Sequence, residues 1–172
     1  ALKIIFENIK PLSTQKINFR YALGKILAED IYGKVPDPPF DRAAMDGYAI
    51  EKSFRCEKYL IKENISAGKV PKFAVKQGEC SKIMTGAMLP KGASQVVRVE
   101  YTEENNGYMF IKQEETQKNI SLMGENVRVN DLLIEKGTSI NPAHIGIMAS
   151  NGTTRVVVQK TPKIGIIVTG SE

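Results

Sequence analysis

From residue 31 to residue 129, Gly, Pro and Asn cut the chain into short runs of β-forming residues, and this constrains the fold more than any other feature. Runs at 80–84, 95–101 and 108–113 have the length of strands and are too short for independent helices. The last two flank Asn105-Asn106-Gly107, whose Asn-Gly step tolerates the positive φ of a type I′ hairpin turn. Helical texture lies on either side. Residues 1–9 carry Leu2, Ile5, Phe6 and Ile9 on one stripe, and Pro11 breaks that helix. A second helix is predicted over 19–29, with Phe19, Leu23, Ile26 and Leu27 on one face and Gly24 as its weak point. A third starts at Asn141 as N-cap, with Pro142 in the first helical position and Asn151-Gly152 as its stop. A strand over 154–159 follows.

The last apolar run, KIGIIV at 163–168, leads into a Gly-containing loop. That is how a buried strand of a parallel sheet begins, and a parallel neighbour needs a crossover of a dozen or more residues. The expectation is that the chain is the front part of a longer protein; the alternative is an antiparallel partner upstream. The predicted class is α+β and β-rich, with a β-rich domain inserted into a mixed one.

Length and composition narrow the functional classes. The 172 residues suffice for one ordinary domain or two small ones, and 42% hydrophobic with 25% charged residues is ordinary for a globular protein. No apolar run reaches the roughly 18 residues of a membrane span, and the N-terminus lacks a signal-peptide pattern. Cys56 and Cys80 stand far apart, which favours free thiols and a cytoplasmic location over a disulfide framework or zinc site. The net charge of +5 is dispersed, with no basic cluster or nucleic-acid-binding motif, so neither nucleic acid nor membrane is expected as a partner.

Four places could carry chemistry. In PPFDRAAMDGYA at 38–49, two prolines stiffen the entrance, Asp41 and Asp46 bracket Arg42, and Gly47 permits close approach of a ligand or another backbone. An Asx-turn at Asp46 is the structural alternative. In IMTGA at 83–87, Thr85 stands beside Gly86 after a strand, where it can bond an anion or cap a turn. Gly124-Glu125-Asn126 pairs an acid with an amide in a loop. In Thr169-Gly170-Ser171-Glu172, a carboxylate after an apolar strand could hold Mg²⁺. His144, the only histidine, falls in the first turns of the third helix, without visible catalytic partners. No P-loop, GxGxxG, HExxH or GxSxG occurs.

Taken in order, PPFDRAAMDGYAI, SAGKVP, GECSKIMTGAMLPKGASQVV, GENVRVNDLLIEKGT, PAHIGIMASNG and PKIGIIVTGSE resemble the molybdopterin molybdotransferase family, which includes bacterial MoeA and the E domain of gephyrin-type proteins. The resemblance implies an enzyme of molybdenum cofactor biosynthesis. It would insert molybdate into adenylated molybdopterin with Mg²⁺ and release AMP, by positioning anions and neutralising charge. It also implies that 13–32 and 131–161 form domain I, that 33–130 form an inserted β-rich domain II, and that 1–12 and 162–172 are incomplete pieces of a molybdopterin-binding domain III. The family is a homodimer whose site is shared between subunits, with a molybdopterin adenylyltransferase as pathway partner.

Residue by residue, the resemblance assigns functional roles to Asp46, Thr85 and Glu172, with Glu172 also a metal ligand. It places Asp41, Arg42, Met45, Gly47, Tyr48, Gly86, Glu125, Asn126, Thr169, Gly170 and Ser171 around the substrate. Three departures stand out: Ser121-Leu122-Met123 replaces an Arg-rich run, Asn126 replaces an aspartate, and Ser171 replaces the Asp of TGDE. They leave open a tungstate-handling paralogue, or a scaffold that dimerises and docks a partner without catalysis.

Overall fold

The computed structural model describes residues 2–8, 10 and 12–170. In chain order the elements are α1 (Leu2–Asn8), β1 (Thr14–Asn18), β2 (Ile31–Tyr32), β3 (Arg42–Ala43), β4 (Gly47–Ile50), β5 (Tyr59–Ile65) and β6 (Glu79–Ile83). They continue with β7 (Gln95–Arg98), β8 (Thr102–Asn105), β9 (Tyr108–Ile111), β10 (Ile120–Ser121), β11 (Leu132–Ile134), α2 (Pro142–Ser150) and β12 (Arg155–Gln159). The architecture is β-rich with few helices, as the interrupted runs lead one to expect. The chain forms two compact units: Pro36–Arg128, and the segments on either side of it up to Val35 and from Val129.

The central unit is built on a six-stranded sheet in the order β7-β4-β6-β5-β9-β8. Only β5 and β6 pair in parallel, and residues 66–78 supply the long connection that such a pair requires. Hairpin β8–β9 closes on Asn106 and Gly107 (φ 52° and 79°), with Asn105 opposite Tyr108, the predicted two-residue turn. The strands around it are shorter than expected. β7 ends at Arg98 and gives way to a 3₁₀ turn (Val99–Tyr101), whose Tyr101 carbonyl accepts the N–H groups of Lys112 and Gln113 and ends β9. Two apolar clusters form. One holds Ala43, Ala49, Ile65, Ile83, Ala87 and Val96. The other holds Tyr48, Ile50, Tyr59, Cys80, Val97 and Met109. Because side chains alternate along a strand, Ala49 serves one cluster while Tyr48 and Ile50 serve the other.

The other unit pairs β1 with β12 and β2 with β11, all antiparallel, over a core that includes Leu27, Ile140, Met148, Val156 and Val158. α2 starts as expected. The Asn141 side chain accepts the His144 N–H at 3.0 Å, the His144 ring accepts the Asn141 N–H in return, and Pro142 occupies the first turn. His144 is thus a capping residue.

Two expected elements do not form. The helix over 19–29 is reduced to a 3₁₀ turn (Phe19–Tyr21). Beyond it the N–H groups of Gly24, Leu27 and Ala28 bond the carbonyls of Ile140, Thr138 and Val157, so distant segments take the place of i−4 partners. Gly24 sits at φ 73°, which a helix cannot contain. The run 163–168 is not a strand, and Ile164, Ile166, Ile167 and Val168 are exposed, because no described segment pairs with it. Among the described residues no helix is long and apolar enough to cross a membrane. The predicted break at Pro11 and the roles of Ile9, Ser171 and Glu172 lie outside the described residues.

Candidate functional site

The stretch at 38–49 is fixed by backbone bonds to three other segments of the central unit. Pro38 and Asp37 accept N–H groups from Gly124 and from Asn126 and Val127, respectively. Ala43 exchanges bonds with Gly86 and Ala87, and the Ala44 N–H reaches the Asn119 carbonyl at 2.9 Å. The Asp46 carbonyl accepts the Val99 N–H at 3.0 Å. Asp46 therefore leads into β4 with its main chain anchored. Since β4 and β6 pair antiparallel with Gly47 opposite Ile83, the residue before β4 meets the loop after β6. That loop carries Thr85.

Thr85 grips a single carboxylate oxygen of Asp46. Its N–H donates to Oδ1 at 2.7 Å and its hydroxyl donates to the same atom at 2.6 Å. Neither bond falls on Oδ2. The Thr85 hydroxyl, and then its N–H, hold the Asp46 carboxyl below the ordinary carboxylate range. Asp46 is exposed, so the result is a fixed anion open to solvent. Beside it Gly86 has φ 79°, and a side chain there would meet nothing within 4 Å.

The other candidate residues separate by what they hold. Asp41 accepts the Met123 N–H at 2.7 Å, and Glu125 accepts the Leu122 N–H at 3.0 Å, so both carboxylates brace the 121–125 loop. Asn126 donates its amide to Asp37 at 3.1 Å. Arg42 lies in β3 opposite Ser121 and belongs to none of the described ion pairs. Met45 is partly exposed, as are Leu122 and Met123. Thr169 and Gly170 lie in an exposed, irregular segment of the other unit.

Tyr48 is buried in the apolar cluster, and its hydroxyl donates to Glu104 at 2.7 Å. Lys82 bonds the same Glu104 oxygen at 2.7 Å and lies over the Tyr48 ring. Burial, then the bond to Glu104, pushes the Tyr48 hydroxyl above its ordinary value. The resemblance names Tyr48 but links it to neither Lys82 nor Glu104. Lys82 faces Tyr48 only through the β4–β6 register, and Glu104 arrives from the hairpin arm, so no local pattern links them.

What Gly47 admits is also resolved. A Cβ there would lie 2.1 Å from the Val97 carbonyl oxygen. The close neighbour of this glycine is the backbone of β7.

Residues 1–152 match the family described as the MoeA N-terminal region (domain I and II). The chain belongs to this family. Among curated relatives, the molybdopterin molybdenumtransferase of Staphylococcus epidermidis is 35% identical over all of this chain and 43% of its own length. That of Staphylococcus aureus is 38% identical over 88% of this chain and 38% of its length. The chain therefore spans about two-fifths of these relatives. The crystal structure of the molybdopterin biosynthesis MoeA protein from Pyrococcus horikoshii OT3 superposes with a TM-score of 0.90 at 36% identity, over 99% of this chain and 48% of that one. The MoeA N-terminal fold is thus established for this chain.

Proposed function

We propose that this chain acts in molybdenum cofactor biosynthesis as part of a molybdopterin molybdotransferase, which inserts molybdate into adenylated molybdopterin and releases AMP. The observation that carries the reading is the Asp46–Thr85 pair: a solvent-facing carboxylate, pinned through Oδ1, in a chain of the MoeA N-terminal family.

The geometry suits a positioning role better than proton transfer. A carboxylate held below its ordinary range stays ionised at neutral pH and is a weak base. With Oδ1 fixed by Thr85, Oδ2 can orient a substrate donor or approach a hard cation. The described residues contain no cluster of three metal-ligating side chains. Mg²⁺ needs none, because it keeps several waters and takes one or two carboxylates plus substrate phosphate. Glu172 is the residue proposed to hold it, and Mg²⁺ would supply charge neutralisation at the phosphoanhydride. Arg42 offers a cation for the anionic substrate. Assembly as a homodimer with a shared site, hand-over from a molybdopterin adenylyltransferase and a cytoplasmic location complete the proposal.

The test is AMP release by the natural protein that carries this sequence, supplied with adenylated molybdopterin, molybdate and Mg²⁺. Absence of molybdate-dependent AMP release would overturn the assignment. A second reading, a scaffold that docks a partner without catalysis, is favoured by the exposed Leu122 and Met123 beside the loop. Full turnover in the same assay would remove it as the primary function.

A further inference from the structure

A cavity of about 220 Å³ opens in the central unit at the far end of β4 from Asp46. Asp46 and Ile50 are four residues apart, about 13 Å along an extended strand, so this cavity and the Asp46–Thr85 pair are separate places. Ile50, Tyr59 and Val97 give it a buried apolar floor, with the exposed Ile111 also in its lining. The Tyr59 hydroxyl is already engaged, donating to the Phe54 carbonyl and accepting the Cys56 N–H, both at 3.1 Å. The floor thus presents a ring and aliphatic carbons.

The charges on the wall do not cancel. Glu115 gives one oxygen to Arg98 Nε at 2.8 Å and the other to Arg98 and the Gln117 N–H. Glu114 pairs with Arg55, and Lys112 pairs with Glu103. Lys52 is different. The Ser94 hydroxyl accepts its N–H at 2.9 Å, and Glu51 binds Ser53 and Ser94, so Glu51 braces the turn that presents Lys52. The Lys52 ammonium enters none of the described ion pairs.

An apolar floor under one unbalanced cation defines a ligand class. We infer that this cavity binds a small organic monoanion, a flat apolar body with one carboxylate, seated on Tyr59 and Ile111 with its charge toward Lys52. The volume lies below the roughly 300–1,000 Å³ of drug-sized sites, which limits the ligand to a small molecule. No step of the proposed molybdate chemistry uses this cavity, so the inference stands or falls independently of it.

Cys56, half-buried in the same wall, supplies the readout. Cys80, the other thiol, is fully buried, and burial followed by the Glu104 carboxylate pushes it up to about 12. Of these two thiols, alkylation by iodoacetamide at neutral pH, followed at the Cys56 peptide, therefore reports Cys56.

Benzoate as probe is expected to slow this alkylation saturably, by about tenfold at ten times its Kd. Benzamide and inorganic phosphate, which lack the charge and the apolar body respectively, are expected to give no protection. Lys52→Gln should abolish protection by benzoate while Lys52→Arg retains it, each with an unchanged far-ultraviolet spectrum. Equal protection by benzamide or by phosphate, protection that survives Lys52→Gln, or no protection of the wild-type protein would each overturn the inference.

Discussion

Replacing Gly47 by alanine tests whether the glycine of the Asp46 loop is there for packing or for ligand access. The added Cβ would stand 2.1 Å from the Val97 carbonyl oxygen, 2.8 Å from its carbon and 3.0 Å from the Arg98 Cα. Real Cβ atoms essentially never approach a neighbour within 3.0 Å, so the Val97 carbonyl oxygen would have to retreat by roughly 1 Å. All three obstacles are main chain of β7, which is paired with β4 along its length and tied to Lys118 through the Val96 N–H. No side-chain rotation can relieve the clash. Overpacking costs about 1–3 kcal/mol, and the high end applies where backbone must move. Against it stands the ~0.4–1 kcal/mol that a Gly→Ala change contributes by restricting the unfolded chain. The clash wins, leaving a net loss of about 2 kcal/mol, or roughly 10 °C in Tm for a unit of this size. Urea unfolding of Gly47→Ala against wild type measures it. Gly86→Asn is the control: that site has φ 79° and open space, so asparagine should be tolerated there better than alanine, whereas Gly47→Asn should be worse than Gly47→Ala. A Gly47→Ala protein within about 0.5 kcal/mol of wild type, the ordinary range for surface changes, would refute the packing argument.

Asp46→Asn preserves an acceptor for both Thr85 bonds but removes the charge. It should lower the urea midpoint slightly at neutral pH, because a carboxyl held below its ordinary range stabilises the fold when ionised, while reducing molybdate-dependent AMP release by roughly 10²–10³-fold; wild-type turnover would exclude Asp46 from the proposed chemistry. Thr85→Val, which removes the hydroxyl donor, should shift the Asp46 carboxyl back upward in an NMR pH titration. Burial pushes the Glu115 carboxyl up, but Arg98, the Gln117 N–H and Asn119 outweigh it and hold it at about 2 against an ordinary 4.5. A lowered folded value stabilises above pH 4.5 and loses that contribution as pH falls toward 2. Fully realised it would be worth about 3 kcal/mol, and solvent screening of the 28%-exposed Arg98 reduces this to about 1–2 kcal/mol. The advantage of wild type over Glu115→Gln should therefore shrink between pH 4.5 and 2, and a gap independent of pH would contradict the assignment. Asn141→Ala removes the cap of α2 and should cost about 1 kcal/mol, read as a lower urea midpoint.

What could be read from the sequence was whatever depends on neighbours in the chain. Asn106-Gly107 specifies its turn by φ alone, and Asn141-Pro142 specifies a helix start by one side-chain acceptor and one missing N–H. The stretch 19–29 shows the limit. Its apolar spacing is helical, yet its N–H groups bond Ile140, Thr138 and Val157, more than a hundred positions away. A periodicity argument has no access to those partners, and tertiary pairing overrides it. The candidate site divides in the same way. Asp46 and Thr85 were each recognisable, and ordered family resemblance linked them, but the 39-residue hydrogen-bonded pair is created by the β4–β6 register. Tyr48 was named through the resemblance, but its partners Lys82 and Glu104 come from two other strands, and no local pattern links the three.

This dependence on register joins the stability of the central sheet to the geometry of the proposed site. Gly47 lacks a side chain, so β7 can lie against β4; the Val99 N–H that follows β7 then reaches the Asp46 carbonyl. On the other flank β6 fixes Ile83 opposite Gly47 and so delivers Thr85 to Oδ1. Asp46 is thus held by its main chain from one neighbouring strand and by its side chain from the other. A substitution that loosens either strand should blur the carboxylate's position before it unfolds the unit, since an orienting role tolerates little displacement. Asp46 is bound through Oδ1 only, which leaves Oδ2 to water in a purely structural loop and to a substrate donor or cation in the proposed site.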